Sequence, residues 1–185
     1  MEGITSRSEL IRYLPSLNGT DCQEYTGIWQ MSDAELHIRT YHDSDRDEVI
    51  DLWHRCDLYR PWNDPVKDIE AKTAIQPELF FIGTVDEKIV ATVMAGFDGH
   101  RGWIYYLGVL PEFRCMGFGE RIMRKVEEEL KKLGCRKINL QVRTSNKDAP
   151  EFYKKIGYRN DDVISMGKRI DSDGKKSEQT DGPER

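Results

Sequence analysis

The stretch from Val109 to Leu133 constrains the fold of this chain more than any other. An apolar run ends at Val109 and Leu110, Pro111 opens a turn, and Arg114-Cys115-Met116-Gly117-Phe118-Gly119 leads straight into a strongly amphipathic segment. Glycines at 117 and 119 let the backbone approach an anion closely, and the N–H groups that open a helix then point at it. Phe118, Ile122, Met123, Val126, Leu130 and Leu133 fall on one helical face. Glu127/Lys131 and Glu128/Lys132 are spaced to pair on the other, and Gly134 supplies a stop. The pattern predicts a strand, loop and helix built to hold a phosphate, with an ordinary strand-to-helix connection as the alternative.

Charge distribution removes several classes of function. The net charge is -5, but residues 1–35 hold six acids and two bases, and residues 171–185 hold five and three. The 22 acids and 23 bases between them leave a nearly neutral centre without the one-signed basic stripe that nucleic acid requires. Cys22, Cys56, Cys115 and Cys135 show no Cys-x-x-Cys spacing, and His37, His42, His54 and His100 lack the i, i+4 pairing of a helical metal site. Neither a metal nor a disulfide framework is indicated. No apolar run reaches membrane-spanning length and no signal peptide opens the chain, so a cytoplasmic protein without membrane contact is expected.

At 185 residues the simplest organisation is one domain with tails. Residues 1–35 read as an acidic extension of uncertain order, 36–170 as the domain, and 171–185 as a disordered polar tail. Within the domain, residues 36–40 alternate as a strand (β1). Asp43 or Ser44 then caps a helix through Cys56 (α1), and Asn63 or Asp64 before Pro65 starts a second to about Ile75 (α2). The apolar runs 79–85 and 89–97 read as a hairpin (β2, β3), followed by a strand from Trp103 to Leu110 (β4) and the anchor helix (α3). Residues 137–142 form β5, Ser145 or Asn146 caps a short helix (α4) ended by Gly157, and 163–170 can form β6. The expected order is β1-α1-α2-β2-β3-β4-α3-β5-α4-β6. Tyr59 to Pro65, between α1 and α2, reads either as a lip over a pocket or as a plug between helices.

The second motif is Asn146, Ala149, Tyr153 and Gly157-Tyr158, whose first three members share one helical face. Taken in this order and separated by one strand, the two motifs resemble the GCN5-related N-acetyltransferase (GNAT) superfamily. The Arg60-Pro61-Trp62-Asn63-Asp64-Pro65 loop and the Asp98-Gly99-His100-Arg101-Gly102 turn look more narrowly like the YpeA-type bacterial acetyltransferases. The resemblance covers about residues 36–170. It implies an α/β fold of the α+β type, with a central mixed, mostly antiparallel sheet and helices on both faces.

The same resemblance implies acetyl-CoA as acetyl donor, an amine as acceptor, no metal, and a possible homodimer. Arg114, Cys115, Met116, Gly117, Phe118 and Gly119 would grip the pyrophosphate, Leu107, Gly108 and Val109 would line the acetyl and pantetheine groups, and Asn146 would bond the pantetheine amides. In such proteins neighbouring strands splay at that point, and Gly108 suits a break in pairing. Tyr153 would protonate the departing thiolate. Gln141 stands where enzymes that acetylate ribosomal-protein N-termini carry Glu, and it cannot accept a proton. Substrate-side candidates are Tyr59, Trp62, Asp64, Asp98, His100 and Tyr105, with a water held by Tyr105 or Tyr106 as a further possible base. The rival reading is a non-catalytic acyl-CoA-binding sensor or partner module.

Overall fold

The computed structural model describes residues 34–168 and 170. The acidic extension, apart from its last two residues, and the polar tail lie outside the described residues. Five strands form one sheet in the order β1-β2-β3-β4-β5, with β1 at His37–Thr40, β2 at Phe80–Val85, β3 at Lys88–Phe97, β4 at Gly102–Val109 and β5 at Ile138–Leu140. The first four are antiparallel neighbours, and β5 joins β4 in parallel. Helices α1 (Arg46–Arg55), α2 (Pro65–Ala74), α3 (Phe118–Lys132) and α4 (Ala149–Lys155) complete the domain.

The two faces of the sheet carry separate cores. Leu52, Trp53 and Ile69 of α1 and α2 bury against Phe80, Ile82, Val90 and Met94. On the opposite face, Ile122, Met123, Val126 and Leu130 of α3 bury against Phe81, Ala91, Val93 and Ile104, and Phe152 and Tyr153 of α4 pack beside them. This is why β2 and β3 read as nearly continuous apolar runs, since both their faces are covered. The α+β class and the helices on both faces are as the sequence implies.

Local chemistry sets the helix starts. Asp64 accepts from the Val66 and Lys67 amides with Pro65 in the first turn of α2. Before α1 a 3-10 turn, Asp43–Asp45, intervenes, and buried Asp45 takes a two-pronged bond from Arg39 at 2.7 and 2.8 Å. The arginine holds that carboxyl below its usual range.

Several details differ from expectation. Leu133 is 46% exposed at the end of α3. The ion pairs on α3 are Arg124–Glu120, Lys125–Glu129 and Lys132–Glu129, while Glu127 instead accepts from the Tyr158 hydroxyl at 2.9 Å. Cys115 is disulfide-bonded, although the cysteine spacing indicated no disulfide.

The expected β6 is absent: residues 163–168 hold no strand. Val163, Ile164, Met166 and Ile170 are 76 to 93% exposed, so none contributes apolar burial that would hold a sixth strand to the sheet. Side-chain bonds from Lys137 to Asp161 and from Gln141 to Ser165 tie this segment to β5 without a backbone ladder.

Candidate active site

The site is organised by two irregularities in β4. Pairing with β5 runs only from Gly102↔Ile138 to Ile104↔Leu140. Beyond it, residues 105–109 and 141–143 share no ladder, which leaves one edge of β4 open to an extended ligand. On its other edge β4 pairs with β3, but the step from Thr92 to Met94 faces the longer step from Gly108 back to Tyr105. The extra residue is a β-bulge, and Tyr106 within it has φ 51°.

A non-glycine residue held there carries ~1 to 3 kcal/mol of strain, and the surroundings over-determine it. The Trp53 indole N–H donates to Thr92 Oγ1 at 3.1 Å, and that hydroxyl donates to the Tyr106 carbonyl at 3.0 Å. The Trp53 and Tyr106 rings stack with centroids 4.0 Å apart. The Tyr106 hydroxyl donates to Asp68 and accepts from Asn63 Nδ2 at 3.2 Å. Burial, followed by the bond to Asp68, pushes the Tyr106 phenol up to about 12.

Gly108 thus lies in the stretch unpaired with β5, and the irregularity on the β3 side sits at Tyr106. Gly108 remains paired with Thr92, and its missing side chain has another cause. A Cβ there would lie 2.9 Å from Leu58 Cδ1 and 3.1 Å from Leu52 Cδ2, so the glycine lets α1 and the loop after it close onto β4.

Where β4 ends, the loop and α3 begin. Arg114 Nε donates to the Val109 carbonyl at 3.2 Å. Gly117 caps α3 with φ 76°, and Arg121 donates to the Gly117 carbonyl at 3.0 Å. The amides of Phe118, Gly119 and Glu120 thus precede the helical ladder. Gly119 is a contact point: a Cβ would meet Phe152 Cζ at 3.1 Å and Val109 Cγ2 at 3.7 Å. Strand end, helix start and α4 converge at this glycine.

Asn146 lies ahead of α4 rather than on its face, and its Oδ1 accepts from the Ala149 amide at 3.1 Å, while Asp148 is the residue at the N-cap. Tyr153 packs edge-on against Phe152 and Tyr158 at 5.1 and 5.7 Å. Burial pushes its phenol up to about 12.

The substrate-side candidates divide in space. Trp62 lies under the Arg143 guanidinium at 5.3 Å, which links the α1–α2 loop to the chain beyond β5. Tyr105 lines a cleft of about 420 Å³ between α2 and the sheet, together with Asn63, Asp68, Lys72, Gln76 and Tyr106. Tyr59 stands beside His54 with ring centroids 4.6 Å apart. The Asp64 carboxylate caps α2. Asp98 and His100 lie at the β3–β4 turn, where Asp98 accepts from the His100 and Arg101 amides and from the Trp103 indole. Strand rise separates that turn from the bulge by about 13 Å.

Asp68, Asn63, Thr92 and Arg143 were not among the sequence candidates. Thr92 did carry a signal, as the one hydroxyl in an otherwise apolar strand facing buried helices. Asp68 looked like an ordinary acid in a helical first turn.

Residues 35–158 match the family model described as the acetyltransferase (GNAT) family, and the chain belongs to that family. Acetyltransferase YE1169 of Yersinia enterocolitica serotype O:8 / biotype 1B is 47% identical over 135 residues, covering 73% of this chain and 96% of the relative. The aminoglycoside acetyltransferase AAC(6')-Iy, solved with a bisubstrate analogue joining CoA to acetylneamine, superposes with a TM-score of 0.61 at 19% identity, covering 74% of this chain and 99% of its own. Glucosamine-6-phosphate N-acetyltransferase from Arabidopsis thaliana gives 0.54 at 25% identity, over 74% and 99%. No helix among the described residues is long and apolar enough to cross a membrane.

Proposed function

We propose that the protein transfers the acetyl group of acetyl-CoA to a primary amine by direct attack, without a covalent acyl-enzyme. The observation that carries this reading is the unpaired edge of β4 opening beside the N-terminus of α3, with Tyr153 on the adjoining α4. The amides at the start of α3 bind the pyrophosphate, where a helix N-terminus favours an anion by ~0.3 to 1 kcal/mol, and up to ~2 when partly buried. The pantetheine arm lies along the open edge at Leu107, Gly108 and Val109, and an N–H there polarises the thioester carbonyl. Asn146 spends its oxygen on the Ala149 amide, which leaves its NH₂ for the pantetheine amides.

In the reaction, the free amine nitrogen attacks the carbonyl carbon and the C–S bond breaks. The thiolate takes a proton from Tyr153, and the proton that the nitrogen loses passes through solvent to restore the phenol. Burial keeps the Tyr153 phenol protonated at neutral pH, so an O–H donor stands ready for the departing sulfur.

The tests separate binding from turnover. Acetyl-CoA at a hundred times Kd adds ~2.7 kcal/mol, or roughly 5 to 10 °C in Tm, and no shift overturns the reading. Free CoA released over a panel of primary amines then measures transfer. One observation favours the sensor reading: Gln141 bonds Ser165 and offers no base. Acetyl-CoA binding with no release from any amine would establish that alternative.

A further inference from the structure

The cleft between α2 and the sheet contains a carboxylate of which the fold uses only one oxygen. One oxygen of Asp68 receives the Tyr106 hydroxyl. The other accepts no hydrogen bond among the described residues, so two lone pairs remain. Two other polar side chains of the cleft are turned to the backbone. Lys72 Nζ donates to the Ile75 and Gln76 carbonyls at 3.2 and 2.7 Å. Gln76 is bonded to the backbone of Phe97 in both directions, at 2.9 and 3.0 Å.

Beside Lys72 and Gln76 the cleft presents an apolar and aromatic wall, with Ala71, Ile75 and Met94 alongside Tyr105, which is 53% exposed. Such a wall suits a hydrocarbon or aromatic stem, and a carboxylate oxygen suits a cation at its end. The volume, about 420 Å³, is that of a small-molecule site.

Position gives the cleft its significance. Tyr106 immediately precedes Leu107, where β4 has parted from β5, and the bulge directs the Tyr106 hydroxyl into the cleft. Resting on the transferase reading, we infer that Asp68, oriented by Tyr106 and Asn63, binds the acceptor as a primary ammonium on an apolar or aromatic stem, on the α2 side of β4. The acceptor and the acyl group then reach the bulge from opposite sides of one strand.

Two probes test this without requiring turnover, phenethylamine and its uncharged counterpart phenethyl alcohol, titrated into the full chain while the Tyr106 ring is followed by NMR. The amine is expected to shift the Tyr106 signals saturably, about 10-fold more tightly than the alcohol. Asp68→Asn, which preserves an oxygen for the Tyr106 hydroxyl, is expected to abolish that difference while keeping its Tm and its acetyl-CoA shift. Equal binding of the two probes, no binding of either, or an Asp68→Asn protein that still discriminates would overturn the inference. Phenethylamine shifts confined to Asp98 and His100 would also overturn it. The acetyl-CoA melt reports separately. If it shows no shift while the amine still binds at Asp68, the transferase reading fails and the ammonium site stands; if acetyl-CoA binds and the amine does not, only the site fails.

Discussion

Gly117, which caps α3, and Gly119, in its first turn, stand two apart and are glycines for different reasons. Gly117 occupies φ 76° with nothing within 4 Å of where a methyl group would sit, so a side chain there costs only backbone strain. Gly117→Ala should destabilise by ~1 kcal/mol, and Gly117→Asn by less, because Asn tolerates the left-handed region. Gly119→Ala instead drives a methyl into Phe152, 3.1 Å away, and should displace α4. Urea melts of the three variants, with NMR of the Phe152 and Tyr153 rings, check this: only the Gly119 change should move the rings. Tyr153→Phe should lower kcat by ~10²-fold or more while preserving the acetyl-CoA shift in Tm. Tyr106 and Tyr153 are both pushed up to about 12, so the fold prefers them protonated. Their contribution is complete below pH 10 and is lost as pH rises towards 12. Tm should therefore fall steeply across that window, and less steeply in Tyr153→Phe.

The bulge in β4 is the element most dependent on distant partners. Thr92 relays the Trp53 indole to the Tyr106 carbonyl, so Thr92→Val orphans a buried donor and a carbonyl together. We expect a loss of ~2 to 4 kcal/mol in urea denaturation, with Thr92→Ser restoring most of it. Gly108→Val should cost ~1 to 3 kcal/mol by overpacking Leu52 and Leu58. Gly108 lies within the stretch of β4 that has parted from β5. On the β3 edge it stays paired and the irregularity sits at Tyr106, which β3, α1 and α2 together hold in a conformation that tyrosine seldom adopts alone.

Across the domain, the sheet is regular at β1 to β3, apart from a register shift at Gly83/Thr84, and most irregular where β4 faces the proposed ligands. A bound acyl-CoA should therefore leave a local footprint. Hydrogen exchange with acetyl-CoA should protect residues 105–109 and the amides of 117–120, while residues 161–168 exchange unchanged. Protection spread evenly over the sheet would indicate general stabilisation rather than a ligand along β4.

Local rules were enough to read the buried face of α3, a start of α2 at Asn63 or Asp64, the hairpin and the spacing of the two motifs from the chain alone. Each depends on residues a few positions apart, and together they carry the family. The expected β6 failed because alternating apolar residues make a strand only when a partner edge receives them, and Val163, Ile164 and Met166 find none. Likewise, Asp68 reads as a helix-start acid until folding sets Tyr106, 38 residues away, against it. The bulge and the Asp68 cleft are properties of cross-strand register and of helix-on-sheet packing, so they exist only once the distant segments meet.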